Sequence, residues 1–138
     1  MTYTLSATST LPWAEALDRT RDALSAQGFG ILTEINVRST FEAKLGTEAA
    51  DAVGDYIILG ACNPALASRA LAAEPEIGAL LPCNVVVRRG KDADATTIEA
   101  IDPRTMVQLS ASPAVKEVAD DAGDRLRKAL TGLSEAPT

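Results

Sequence analysis

The chain contains no histidine. That absence removes Ser-His and Cys-His catalytic pairs, zinc motifs built on two helical histidines, and histidine-ligated haem. Aromatic residues make up only 4% of the chain, so its core must be aliphatic. Cysteine is scarce: Cys62 and Cys83 are too few for a disulfide scaffold and two ligands short of a structural zinc site. No metal and no cofactor is expected. Positive charge is also short, with 13 Lys and Arg against 19 Asp and Glu and a net charge of −6. Nucleic acid and anionic membrane both require a positive field, so neither is expected as a partner. No apolar run approaches the roughly 20 residues of a membrane span. Met1 to Leu11 has neither a basic n-region nor an apolar h-region. The expected setting is the cytoplasm, with reduced thiols.

What is present is enough hydrophobic material, 46% of 138 residues, for one core without staples. We expect a single domain over residues 1–133 and a short tail over 134–138. Tyr3 to Ala7 alternates as a first strand. Trp13, Ala16, Leu17, Thr20 and Leu24 recur at helical spacing, with Pro12 at the start and Gly28 at the stop. Gly30 to Val37 reads as a strand, with Leu32, Glu34 and Asn36 sharing one face. Ser39 and Glu42 have capping-box spacing for a short helix that ends at Gly46. The Ala-rich stretch Thr47 to Gly54 reads as a loop.

Asp55 to Ala61 is a buried strand, and Asn63 and Pro64 open an Ala/Leu helix that Pro75 terminates. Cys83 to Arg88 and Thr96 to Ile101 form a hairpin. Asp102-Pro103 starts a turn. A last helix begins at Ser112 and Pro113, striped by Val115, Val118, Ala122, Leu126 and Leu130. Arg125, Arg127 and Lys128 read as lying near its C-terminal end. The expected class is α+β, order β-α-β-α-β-α-β-β-α, with helices on one face of a mainly antiparallel sheet.

Three segments carry a resemblance: Gly28-Phe29-Gly30-Ile31-Leu32-Thr33-Glu34-Ile35, Tyr56-Ile57-Ile58-Leu59-Gly60-Ala61-Cys62-Asn63-Pro64, and Leu80-Leu81-Pro82-Cys83-Asn84-Val85-Val86-Val87. In this order, with Ile101-Asp102-Pro103 after them, they resemble the domain-of-unknown-function family 302. The resemblance implies a compact α+β fold with a TATA-binding-protein-like sheet, and a homodimer. It brings no reaction with it, and fold analogy is a weak warrant for function.

Cys62-Asn63 and Cys83-Asn84 are the most unusual features. Cys62 ends a strand just before a helix start, where Asn63 is a natural cap and Pro64 a natural first residue. A helix N-terminus lowers a thiol pKa and attracts anions. If the strands containing Cys62 and Cys83 are antiparallel neighbours, the thiols meet; a parallel crossover separates them. Two readings stand side by side. In one, both cysteines are small buried hydrophobes and both asparagines are turn residues. In the other, Cys62, Asn63, Cys83 and Asn84 build a site for a small molecule or anion, with Glu34 and Lys44 nearby.

Glu34 and Lys44 also read as ordinary solvated charges. The leading functional reading is therefore a homodimeric small-ligand-binding or accessory domain. A thiol enzyme or redox protein using Cys62, and a structural interaction module, are the alternatives. Whether the chain is an enzyme is left open by the residues themselves.

Overall fold

The computed structural model describes residues 2–134. The chain order is β1 (Thr4–Ser9), α1 (Trp13–Ala26), β2 (Gly30–Asn36), α2 (Val37–Leu45), α3 (Thr47–Val53), β3 (Asp55–Cys62) and α4 (Pro64–Ala73). A 3-10 turn (Pro75–Leu80) leads into β4 (Cys83–Arg89), β5 (Thr96–Ile101), α5 (Pro103–Met106), a second 3-10 turn (Val107–Leu109) and α6 (Pro113–Ser134). The strands form one fully antiparallel sheet in the order β1-β5-β4-β3-β2. The α+β class read from the pattern is the class observed.

The sheet is two-faced because its strands alternate. Ile57, Leu59 and Ala61 of β3, Val85 and Val87 of β4, and Ile98 and Ala100 of β5 point to one side and are buried. Helices α1 and α6 pack on that side, with Leu24, Leu126 and Leu130 closing over it. Burying one such aliphatic side chain contributes about 1.5–3 kcal/mol. Tyr56, Ile58, Val86 and Ile101 take the alternate positions and stay partly exposed. A second apolar cluster joins α4, the first 3-10 turn and α6 through Leu66, Ala70, Ile77, Val115, Val118 and Ala122.

The structure departs from the sequence expectations where tertiary contacts outweigh local pattern. Thr47–Val53 is a helix, α3, not a loop; it packs against its neighbour α2, and Arg38 of α2 reaches Asp51 and Asp55 at 3.1 Å each. The cap of α2 is Asn36, whose side chain accepts from the Ser39 N–H at 3.0 Å, so Ser39 and Glu42 do not form the capping box. Asp102-Pro103 opens the short helix α5, with Asp102 Oδ1 accepting from Arg104 N–H at 3.0 Å. Helix α6 runs on to Ser134, which puts Arg125, Arg127 and Lys128 in its body and leaves no basic residue in its last turn. The expected tail therefore has Ser134 in the helix, and 135–138 lie outside the described residues.

β2 departs as well, in its facing. The pairing shifts between Ile31 and Thr33, so Leu32 is an extra residue and Thr33 pairs with Gly60. The bulge inverts the alternation beyond it. Glu34 then pairs with Leu59, a core-side residue, and its carboxylate meets Arg21 of α1.

Gly60 marks the closest approach on the far side of the sheet. A Cβ there would stand 2.1 Å from Thr33 Oγ1 and 2.9 Å from the Pro82 ring. Gly60→Ala is expected to lower the unfolding free energy by about 1–3 kcal/mol, the usual cost of overpacking. Gly132→Ala, on α6 with open space around it, should be neutral or stabilising by up to about 1 kcal/mol. Urea titration of the two variants checks the contrast; equal midpoints would contradict it.

Candidate functional site

The site grows from one register. β3 and β4 are antiparallel neighbours, and Ala61 pairs with Cys83. The end of the one strand is thus beside the start of the other, as the antiparallel alternative required. Beyond Cys62 the chain turns at Asn63, which holds extended backbone at φ −99° and ψ 106°. Its Oδ1 accepts from the Leu66 N–H at 3.2 Å, and Pro64 takes the first turn. The local sequence dictates this helix start: an asparagine cap followed by a residue that has no N–H to lose.

Below that turn lies a cavity of about 60 Å³. Phe29, Leu66, Val118 and both cysteines border it, and its lining is almost wholly apolar. Its cause is composition. Ala61, Ala67, Ala70, Ala119 and Ala122 surround it, where the main core and the α4–α6 cluster meet. Methyl groups are too short to reach across, and the two clusters stay separate. Well-packed interiors hold few such voids.

The thiols differ. Cys83 is buried, and burial pushes its pKa from the ordinary 9.0 up to about 11, with the neighbouring Cys62 adding to the rise. Cys83 is therefore a neutral thiol at pH 7, a weak donor and not a nucleophile. Cys62 is half-buried beside the α4 N-terminus.

The sequence-derived residues divide. Cys62, Asn63 and Cys83 border one cavity. Asn84 does not: strand alternation turns it to the opposite face, where it lines a shallow groove of about 550 Å³ with Tyr56, Val86 and Glu99. Glu34 is tied to Arg21 at the sheet edge, three pairs along β3 from Cys62, or roughly 10 Å at the usual strand rise. Lys44 is exposed in the last turn of α2, a helix that starts beside Ile57 at the other end of β3. Neither Glu34 nor Lys44 borders the cavity. Among the described residues no group of three or more Cys, Asp or Glu is placed to hold a metal ion.

Two residues near Asn63, neither of them bordering the cavity, carried no site signal in the sequence. Gly28 has φ +86°, and a Cβ there would stand 2.9 Å from Asn63 Nδ2 and 3.4 Å from Arg125 Nη1. Arg125 Nη1 donates to the Gln27 carbonyl at 3.2 Å, and Nε donates to Asp121 at 2.8 Å. The i,i+4 spacing of Asp121 and Arg125 was visible, but it signals only a helix-surface pair.

Domain of unknown function DUF302 matches residues 5–133. The chain belongs to that family. A crystal structure of an uncharacterized conserved DUF302 protein from Bacillus stearothermophilus superposes on this DUF302 domain with a TM-score of 0.83 and 27% sequence identity. The alignment covers 96% of this chain and 99% of that one. No curated protein matches the chain. Among the described residues no helix is long and apolar enough to cross a membrane.

The Cys83 environment has a consequence for stability. Above pH 9 the unfolded chain releases the Cys83 proton while the folded chain retains it, so stability is full below pH 9 and falls as pH rises towards 11. The loss attributable to Cys83 is at most about 3 kcal/mol. Denaturation midpoints of the wild type and Cys83→Ala across pH 8–11 should converge as pH rises. Parallel curves would contradict the assignment.

Proposed function

We propose that this DUF302 domain is a homodimeric small-ligand-binding or accessory domain whose site is the cavity at Cys62, Asn63 and Cys83. The observation that carries the reading is the unfilled apolar space that both thiols border. Ligand sites are concave, mostly apolar and bordered by a few polar groups. A neutral Cys83 and the absence of histidine favour binding over chemistry there. Of the earlier site set, Glu34, Lys44 and Asn84 are left out of this cavity by their positions. They stay in the proposal only as groups outside the ligand's reach. Nothing in the charge balance favours nucleic acid or a membrane as partner.

The dimer half of the proposal rests on the sheet's far face. Ile35, Ile58 and Val86 are successive cross-strand neighbours there, and Ile35 is 49% exposed. Apolar rows left partly open on a sheet face are the usual material of subunit contacts. Sedimentation equilibrium should give twice the chain mass for the wild type and the single mass for Val86→Arg. A monomeric wild type removes this half of the reading.

The alternative of a thiol enzyme or redox protein has one observation in its favour, the half-buried Cys62 at a helix start. Alkylation rates across pH separate the two readings, since an enzyme nucleophile needs a thiolate at pH 7. The binding reading expects Cys62 to be alkylated at pH 7 no faster than a free cysteine; a markedly faster reaction would favour the enzyme. For the cavity itself, dissolved ¹²⁹Xe should show a concentration-dependent shift with the wild type that Ala119→Leu abolishes, as apolar cavities take up xenon. Failure of the wild type to shift the xenon line counts against the cavity as a site.

A further inference from the structure

We propose that residues 102–110 form a strap that lifts to admit a ligand to the cavity and is latched shut by Arg104 on α6, an inference that rests on the cavity being a binding site. Two observations meet in this segment. Pro103 and Val107 border the cavity, so the strap is one of its walls. Arg104 stands between them in sequence and reaches the solvent side of α6. Its Nε donates to Asp120 at 3.2 Å and its Nη2 to Asp124 at 2.8 Å. Gly123 seats the guanidinium, since a Cβ there would stand 3.2 Å from Cζ and 3.3 Å from Nη1. The same helix supplies Val115, Val118, Ala119 and Ala122 to the cavity. The ion pairs therefore tie one wall to another from outside.

The other walls are held more firmly. Ala61 and Cys83 sit in paired strands, and α6 is a helix of 22 residues. α4 is capped by Asn63 and buries Leu66 and Ala70. Pro82 lies against Gly60. The strap has only four residues of helix and three of 3-10 turn, too few to keep a helical shape unaided. Its ends are tied: the Asp102 N–H donates to the Tyr3 carbonyl at 2.8 Å, and Ser110 Oγ donates to Glu74 at 3.0 Å. Between them it is held by buried Pro103, by half-buried Val107 and by the Arg104 pairs. The side chains of Asp120 and Asp124 are 68% and 61% exposed, and Arg127 shares Asp124 at 3.5 Å. Exposed pairs hold weakly and are screened by salt. A segment with so few buried contacts opens locally, well below the free energy of global unfolding.

Arg104 itself does not border the cavity. It sets how often the strap is open without touching what enters, which makes it a gating residue and not a binding one. Lifting the strap exposes Cys83, which borders the same space and is otherwise buried. The Cys83 thiol is therefore a built-in reporter of opening.

Cys62→Ser leaves Cys83 as the single thiol, and its labelling by dipyridyl disulfide in the full chain reads the opening. In that background Arg104→Gln should raise the labelling rate about fivefold, the factor to which two exposed pairs together amount. About 1 M NaCl should accelerate the parent chain and leave Arg104→Gln unchanged. Arg69→Gln, which removes the α4–α6 pair with Glu117 at 3.3 Å, should label at the parent rate. The rate should stay flat in urea below the unfolding transition, because a strap exposes little surface. Equal rates for Arg104→Gln and the parent overturn the proposal. So does an Arg69→Gln rate as fast as that of Arg104→Gln, or a rate that climbs with urea in step with global unfolding. If xenon enters the cavity while Arg104→Gln leaves labelling unmoved, only this inference falls. If xenon does not enter, a strap that still moves has nothing to admit, and the binding reading falls with the proposal.

Discussion

The antiparallel pairing of Ala61 with Cys83 is the constraint on which the rest of the site depends. It sets the end of β3 beside the beginning of β4 and leaves α4 to start directly above both. A crossover of the other sense would have put the two cysteines at opposite ends of the sheet. The segment from Glu74 to Pro82 makes the antiparallel arrangement possible by carrying the chain back beneath α4. Pro82 then lies against Gly60, so the return path is gripped by the strand it rejoins.

From that register the chemistry follows in steps. The strand end delivers a cysteine and a capping asparagine, and the strand start delivers a second cysteine into the core. Alanines on β3, α4 and α6 hold the walls apart without filling the space between. Burial keeps the inner thiol protonated. Outside the cavity, α6 brings Arg125 across to the turn after α1. The result is a small apolar chamber bordered by two thiols and one asparagine. With no histidine in the sequence, no imidazole base stands beside either thiol.

Much of this was legible in the sequence because it is local. The Asn63-Pro64 helix start, the stop at Gly28 and the alternation of β4 and β5 are all decided within a few residues, and the structure has them. The family resemblance lay in the same short segments. What failed was long-range or conditional. Leu32 looks like any alternating strand residue, and only pairing with β3 makes it a bulge that turns Glu34 towards α1. Asn84 looked like the twin of Asn63, yet it sits inside a strand whose alternation sends it to the far face. Thr47–Val53 has a helical composition but reads as a loop until α2 is there to pack against. Arg125 is separated from Gln27 by 98 positions, and no local pattern announces that contact.

The central claim is that space, and not a filled core, lies between Cys83 and α6. Diffraction from crystals held under xenon pressure tests it most directly. The account predicts an anomalous peak bounded by Phe29, Leu66, Ala119 and Cys83. Xenon found only elsewhere, or those side chains closed upon one another with no room between them, would contradict it.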